Sequence, residues 1–253
     1  MHKVSECGIL LRGYAKEEPE VKDVVERLRR SAMRAEELGF GRIVILIPED
    51  KDCGKTYDTL SAELPNDEFK NVFIECSRGN GHSDALNTGV EFLRKSHHSP
   101  LFVVSNKALE YMVPKNVEKI LASFKEGALV AGLAIRDSDV AEGEDEGYLG
   151  TLSGRISNTF AAWDTAALHA AGNFDSVIGV EEIAPIVRLV AAHGPCIAPL
   201  LPTGQAAINI SALRAQHHDF VITTKRTRQE QEAERAGGSF ELIERGILAG
   251  YPK

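Results

Sequence analysis

Short apolar runs alternate along this chain with longer stretches in which apolar residues recur every three or four positions. The runs are Cys7-Gly8-Ile9-Leu10-Leu11, Arg42-Ile43-Val44-Ile45-Leu46-Ile47, Val72-Phe73-Ile74-Glu75-Cys76, Leu101-Phe102-Val103-Val104 and Ala128-Leu129-Val130-Ala131-Gly132-Leu133-Ala134-Ile135. Apolar at nearly every position and bounded by glycine, proline or polar residues, they read as strands buried on both faces. Between them lie helical patterns. Pro19 opens one whose apolar face is Val21, Val24, Val25, Leu28, Ala32, Ala35 and Leu38, with Gly39 placed to close it. A short helix runs through Leu64, another carries Ala85, Leu86, Gly89, Val90 and Leu93 on one face, and a third starts at Pro114 with Val117, Ile120, Leu121 and Phe124. The order of strand, glycine turn at Ser77–His82, helix and strand is a βαβ unit, whose crossover makes its strands parallel. The expectation is an α/β fold: a mainly parallel central sheet with helices on both faces. Ligands of such sheets gather at the carboxyl ends of the strands, here near Ser77–His82 and Ser105–Lys107.

Beyond Arg136 the pattern weakens. Asp137–Gly147 is acidic and glycine-bearing and reads as a mobile loop. Asn158–Ala171 reads as a strand or turn running into a helix, followed by Gly172-Asn173-Phe174-Asp175. Glu181-Glu182 opens an apolar helix with Ile183, Ile186, Val187 and Val190, which ends near His193-Gly194-Pro195. From Thr224 a charged helix runs to Gly237-Gly238, and a short final helix occupies Phe240–Leu248. The chain therefore divides into 1–136, 137–223 and a helical tail 224–253.

Composition narrows the class of function. With 253 residues, 43% hydrophobic and 26% charged, the chain can bury a sizeable core. A net charge of -8 argues against nucleic-acid binding, which depends on clustered cations. Four cysteines, Cys7, Cys53, Cys76 and Cys196, show no C-x-x-C pair and no zinc spacing. Cys7 and Cys76 lie in strand runs and read as small buried apolar residues. No apolar run reaches the roughly 18 residues of a membrane span, and the N-terminus lacks a signal peptide's pattern. The expectation is a cytoplasmic protein with no transmembrane segment and no nucleic-acid partner; a homodimer is left open.

The segments 47–56, 81–89, 161–175 and 181–194, taken in that order, resemble the family 2 glycosyltransferases, which have the GT-A fold of nucleotide-diphosphate-sugar transferases. Ile47-Pro48-Glu49-Asp50-Lys51-Asp52-Cys53-Gly54-Lys55-Thr56 is similar to the family's acidic loop after the second strand. Gly81-His82-Ser83-Asp84-Ala85-Leu86-Asn87-Thr88-Gly89 resembles its G-x-s-x-A-l-N-x-G helix start. Ala161-Ala162-Trp163-Asp164-Thr165-Ala166-Ala167-Leu168 with Gly172-Asn173-Phe174-Asp175 is similar to a-f-R-R-x-a-l…G-G-F-D. Glu181-Glu182-Ile183 and Arg188-Leu189…Gly194 resemble the E-D-x-x-L-x-x-R-l…G helix that carries the base. The resemblance spans about Gly8 to Leu201. It implies a GT-A-like fold whose first part, 1–136, binds a nucleotide-sugar and whose smaller part, 137–223, faces the acceptor. It also implies transfer of a sugar to an acceptor hydroxyl with inversion.

Two positions depart from the family pattern. The metal-binding D-x-D at the end of the fourth strand is here Ser105-Asn106-Lys107, and Glu182 stands where the family has aspartate. Hard divalent cations want carboxylate oxygens, so the degenerate motif implies no metal and no cofactor. Lys107 can put an ammonium near the diphosphate instead.

Glycosyl transfer needs a held nucleotide, a base for the acceptor hydroxyl and charge stabilisation on the departing diphosphate. Glu49 and Asp50 can hydrogen-bond a base or ribose edge, or simply form a solvated turn. Arg78 and the amides around Gly81 sit at a helix N-terminus, a natural anion site, or form only a tight turn. Arg12-Gly13 ends the first strand. Glu181 and Glu182 diverge by about 100° on a helix, so one can act as base while the other caps the helix; Glu182 takes the family's base position. Trp163, the single tryptophan, either stacks on a sugar or fills the core. The candidate site is thus Glu182 and Glu181 as catalytic residues, with Arg12, Gly13, Glu49, Asp50, Arg78, Gly81, Asn87, Ser105, Asn106, Lys107 and Trp163 binding substrate. NAD binding fails because the fingerprint's third glycine is absent and the next strand lacks an acidic ribose ligand. A nucleotidyltransferase would need a better glycine-rich loop than Leu11–Lys16. A protein of the same fold that binds a nucleotide-sugar or a partner protein without turnover stays as the rival.

Overall fold

The computed structural model describes residues 2–13, 18–48, 53–64, 69, 71–77, 82–105, 108–134, 154–175, 180–200 and 219–251. The apolar runs form strands β1 (Gly8–Arg12), β2 (Arg42–Pro48), β3 (Val72–Ser77), β4 (Leu101–Ser105) and β5 (Val130–Ala134), joined by β6 (Ile156–Trp163) and β7 (Ile197–Leu200). They make one seven-stranded sheet in the order β3-β2-β1-β4-β6-β5-β7. β3, β2, β1 and β4 run parallel, as the βαβ reading requires, and β7 runs parallel to β5. β6 is antiparallel to both of its neighbours, which keeps the sheet mainly parallel.

Helices cover both faces. α1 (Glu18–Glu37), α2 (Cys53–Glu63) and α4 (Pro114–Lys125) lie on one side, and α3 (His82–Lys95), α5 (Thr165–Ala170) and α6 (Ile183–His193) lie on the other. Successive strand residues therefore serve opposite cores. Ile9, Leu11, Ile43 and Ile45 join Leu28 and Ile120, whereas Leu10, Val44 and Leu46 join Leu86, Val90 and Leu93. The helix start at Pro114 and the stop at Gly39, with φ of 84°, follow the local signals.

Sequence and structure differ in four places. β7 has no counterpart in the sequence reading, because Ile197-Ala198-Pro199-Leu200 is short and follows a helix end without alternation. Of the C-terminal helices, α7 (Asp219–Arg235) starts earlier and stops sooner than read, and α8 (Phe240–Arg245) starts where read and stops sooner. They also pack into the core: Ala233 and Ile243 are fully buried with Ile186 and Val190, and the Gly246 carbonyl accepts from the amides of Cys196 and Ile197 at 2.8 and 2.9 Å. Cys76, expected to be buried, is exposed, since β3 is an edge strand. The loop read at Asp137–Gly147 lies outside the described residues, as does the boundary at 136. Among the described residues no helix is long and apolar enough to cross a membrane.

Candidate functional site

Open α/β sheets bind ligands where neighbouring strands send their connections to opposite sides. Here that switch point lies between β1, whose successor β2 lies to one side, and β4, beyond which the sheet continues on the other. Arg12, the last residue of β1, stands in register with Ser105, the last of β4, and with Leu46 of β2. Both sequence candidates thus meet at the carboxyl edge. Gly13 follows at the point where α1 passes beneath it: a Cβ there would come within 2.7 Å of Leu28 Cδ1. Its lack of a side chain serves this close helix approach.

The Arg12 guanidinium donates from Nη1 to Glu181 Oε1, forming an ion pair across 169 residues of chain. Glu181 and Glu182 are each 5% exposed, preceded by the buried Val180. The sequence reading has one glutamate capping α6. In the structure Glu182 occupies the N-cap position, with φ -79° and ψ -23°, yet its side chain caps no helix amide. The backbone at Glu182 is helical where capping residues are usually extended, and Glu181 is held by Arg12.

The segment leading to this pair is built on a turn. Gly172 and Asn173 take left-handed conformations, with φ of 88° and 62°, which glycine and asparagine tolerate. Asn87, expected to bind substrate, pairs with the backbone of Phe174. Its Nδ2 donates to the Phe174 carbonyl at 2.7 Å, and its Oδ1 accepts from the Phe174 amide at 3.0 Å. Both polar atoms of the amide bond the turn, so Asn87 helps to hold Phe174 in place. Asp175 then accepts from Arg188 Nη2 at 2.7 Å and pairs with Arg235 at 2.9 Å, while Arg235 also pairs with the buried Glu232. Hydrogen bonds from Arg188, then Arg235, hold the Asp175 carboxyl below the usual aspartate range. This cluster was missed in the sequence, where Asp175 and Arg235 are too far apart for any linear pattern to join them.

Trp163 does not reach the site. It is 0% exposed, its Nε1 donates to Asn158 Oδ1 at 3.0 Å, and its ring meets Phe174 edge-on at 5.2 Å. Because β6 is antiparallel, Trp163 pairs with Leu101 and Val130, the first residues of β4 and β5. Four residues of strand, about 13 Å, separate that edge from Ser105, and no ring face is left for a sugar.

Glu49, Asp50, Arg78, Gly81, Asn106 and Lys107 lie outside the described residues. Among the described residues no group of three or more His, Cys, Asp or Glu could hold a metal ion.

No protein-family model matches the sequence, and no curated protein matches it. Solved structures do match its fold. The mannosyltransferase PcManGT from Pyrobaculum calidifontis, in complex with GDP-Man and Mn2+, is 14% identical with a TM-score of 0.55, over 95% of this chain and 67% of that one. The 4-diphosphocytidyl-2C-methyl-D-erythritol synthase from Anaerococcus prevotii DSM 20548 is 11% identical with a TM-score of 0.49, over 83% of this chain and 98% of that one. The first of these shows a shared GT-A-like architecture.

Proposed function

We propose that this chain transfers a sugar from a nucleotide-diphosphate-sugar to an acceptor hydroxyl, with inversion and without a divalent metal. The observation that carries the reading is Arg12 at the switch point of the sheet, paired with Glu181 at the opening of the acceptor-side helix. It joins a cation at the carboxyl edge, where ligands of such sheets sit, to the first of the two adjacent glutamates from which the base is drawn. The likeness in fold to a mannosyltransferase solved with GDP-Man and Mn2+ supports it.

In this reading the nucleotide lies along Arg12-Gly13, Glu49-Asp50 and Arg78–Gly81. Glu182 takes the proton of the acceptor hydroxyl as its oxygen attacks the anomeric carbon. The bond from that carbon to the diphosphate oxygen breaks, and its electron pair leaves with the diphosphate. A single displacement inverts the anomeric centre. Glu182 is assigned as base because it takes the base position of the family that the sequence resembles.

A divalent cation does not fit the end of β4. Ser105-Asn106-Lys107 brings a hydroxyl, an amide and an ammonium, with no carboxylate. A hard cation wants several oxygens, and Lys107 would repel it by several kcal/mol at an effective dielectric near 20. Lys107, Arg78 and Arg12 therefore carry the leaving-group charge.

The test is calorimetric titration with UDP-, GDP-, CDP- and dTDP-sugars, with manganese and in excess EDTA. One nucleotide should bind equally in both, and Asp50→Ala should weaken it by about 1–3 kcal/mol if a charged hydrogen bond is lost. Sugar transfer in EDTA should persist, fall with Lys107→Ala, and drop roughly 100- to 10,000-fold with Glu182→Gln at unchanged binding. Strict manganese dependence would refute metal independence. Binding without turnover under every condition would instead support the rival, a non-catalytic nucleotide-sugar-binding protein, which the missing carboxylates at β4 favour.

A further inference from the structure

We infer that the Arg12–Glu181 pair is a latch that the donor's diphosphate opens, the anion taking the guanidinium and displacing the carboxylate. This rests on the donor-site reading above. The two partners are unequally accessible: the Arg12 side chain is 25% exposed and the Glu181 side chain 6%. An anion arriving from solvent therefore meets the guanidinium, while the carboxylate stands behind it. Arginine binds phosphate through a planar fork of donors, and Nη1 of that fork is already given to Glu181. A diphosphate seated on the same fork puts two anions on one cation in a partly buried cleft. The incoming ligand brings more negative charge than a single carboxylate, and Arg12 follows it.

The displacement has a chemical consequence. A carboxylate paired with a guanidinium is a poor proton acceptor, and losing that partner raises its affinity for a proton. Donor binding thus releases Glu181 from Arg12 beside Glu182, at the start of the acceptor-side helix. Without donor, Glu181 is held by Arg12. The latch makes binding ordered, donor before acceptor, and links β1 to the start of α6 through one contact.

The test is calorimetric titration of inorganic pyrophosphate, and of the nucleoside diphosphate that binds, into the full chain. The variants are Glu181→Gln, Arg12→Met and the double variant, each checked by thermal melting. The single Arg12→Met leaves a buried carboxylate without its cation and is the variant at risk of not folding. The double variant removes both charges; if Arg12→Met does not fold, the sign of the change in Glu181→Gln decides alone, tighter binding supporting the latch and unchanged or weaker binding overturning it. Glu181→Gln should tighten pyrophosphate about tenfold, the order expected from removing a nearby charge at an effective dielectric near 20. With Arg12 absent the gain from the same substitution should be clearly smaller, since the two sites are coupled. Weaker binding in Glu181→Gln would mean that the glutamate is a strut orienting Arg12, and would overturn the latch. An equal gain in both backgrounds would reduce it to through-space repulsion and overturn it as well. Nucleoside diphosphate binding unmoved by all variants would sink the latch alone. Binding of neither ligand to the wild type or to Glu181→Gln would sink the donor-site reading with it.

Discussion

At the scale of single residues, Trp163 and Asp175 show how the surroundings decide what a side chain does. Trp163 has the chemistry of a sugar platform, but its ring is enclosed by Phe174 and its nitrogen is spent on Asn158. Trp163→Ala should therefore cost about 3–5 kcal/mol of stability, the range for removing a buried aromatic, read by urea denaturation, and leave nucleotide affinity in the folded fraction unchanged. Weakened binding with intact stability would return the tryptophan to the site. Asp175 is a partly exposed carboxyl whose folded pKa lies below its ordinary 3.8 because Arg188 and Arg235 bond its charged form. A depressed carboxyl contributes stability that is present above the unfolded value and lost as pH falls through the folded one. The melting-temperature gap between wild type and Asp175→Asn should be constant above about pH 5 and close below about pH 4. A gap independent of pH down to about pH 3 would show that the ion pairs contribute nothing.

Among the elements, β6 decides most. By running antiparallel between β4 and β5 it carries Trp163 to the amino edge, and the chain must return to the carboxyl edge before Glu181 can meet Arg12. The turn at Gly172–Asp175, held by Asn87, Arg188 and Arg235, anchors that return. β5 and β6 approach so closely at Gly132 that a Cβ would lie 2.6 Å from both Ala161 Cα and the Phe160 carbonyl oxygen. These are backbone atoms and cannot rotate aside. Gly132→Ala should cost roughly 2–3 kcal/mol, and an unchanged urea midpoint would show that the ladder shifts there freely.

For the molecule as a whole, the C-terminal helices are part of the core. Gly238 lies so close to Val187 that a Cβ would meet it at 2.5 Å, and a Cβ on Gly246 would meet Val190 at 2.3 Å and Ile197 at 3.0 Å. The Leu248 amide donates to the Ile197 carbonyl at 2.9 Å, and Ile247 bridges to Ile197, so this segment covers the edge of β7. Deleting residues 219–253 should bare an apolar helix face and a strand edge. The truncated chain should lose its cooperative thermal transition and bind a hydrophobic dye. A sharp melt near that of the full chain would make the segment a dispensable tail.

The sequence by itself determined the five strands from Gly8 to Ala134 and the helices between them, because each depends on local periodicity and on caps such as Pro114 and Gly39. It also placed Arg12 and Ser105 at the carboxyl edge, since parallel order follows from the crossover connection. Tertiary structure alone decided the rest. The direction of β6, the existence of β7, the burial of Trp163 and the burial of the last helices depend on which surfaces meet, and no period in the chain encodes that. The same holds for the ion pair of the candidate site. Arg12 and Glu181 are 169 residues apart, and an interaction whose partners are brought together only by the sheet leaves no local mark on either.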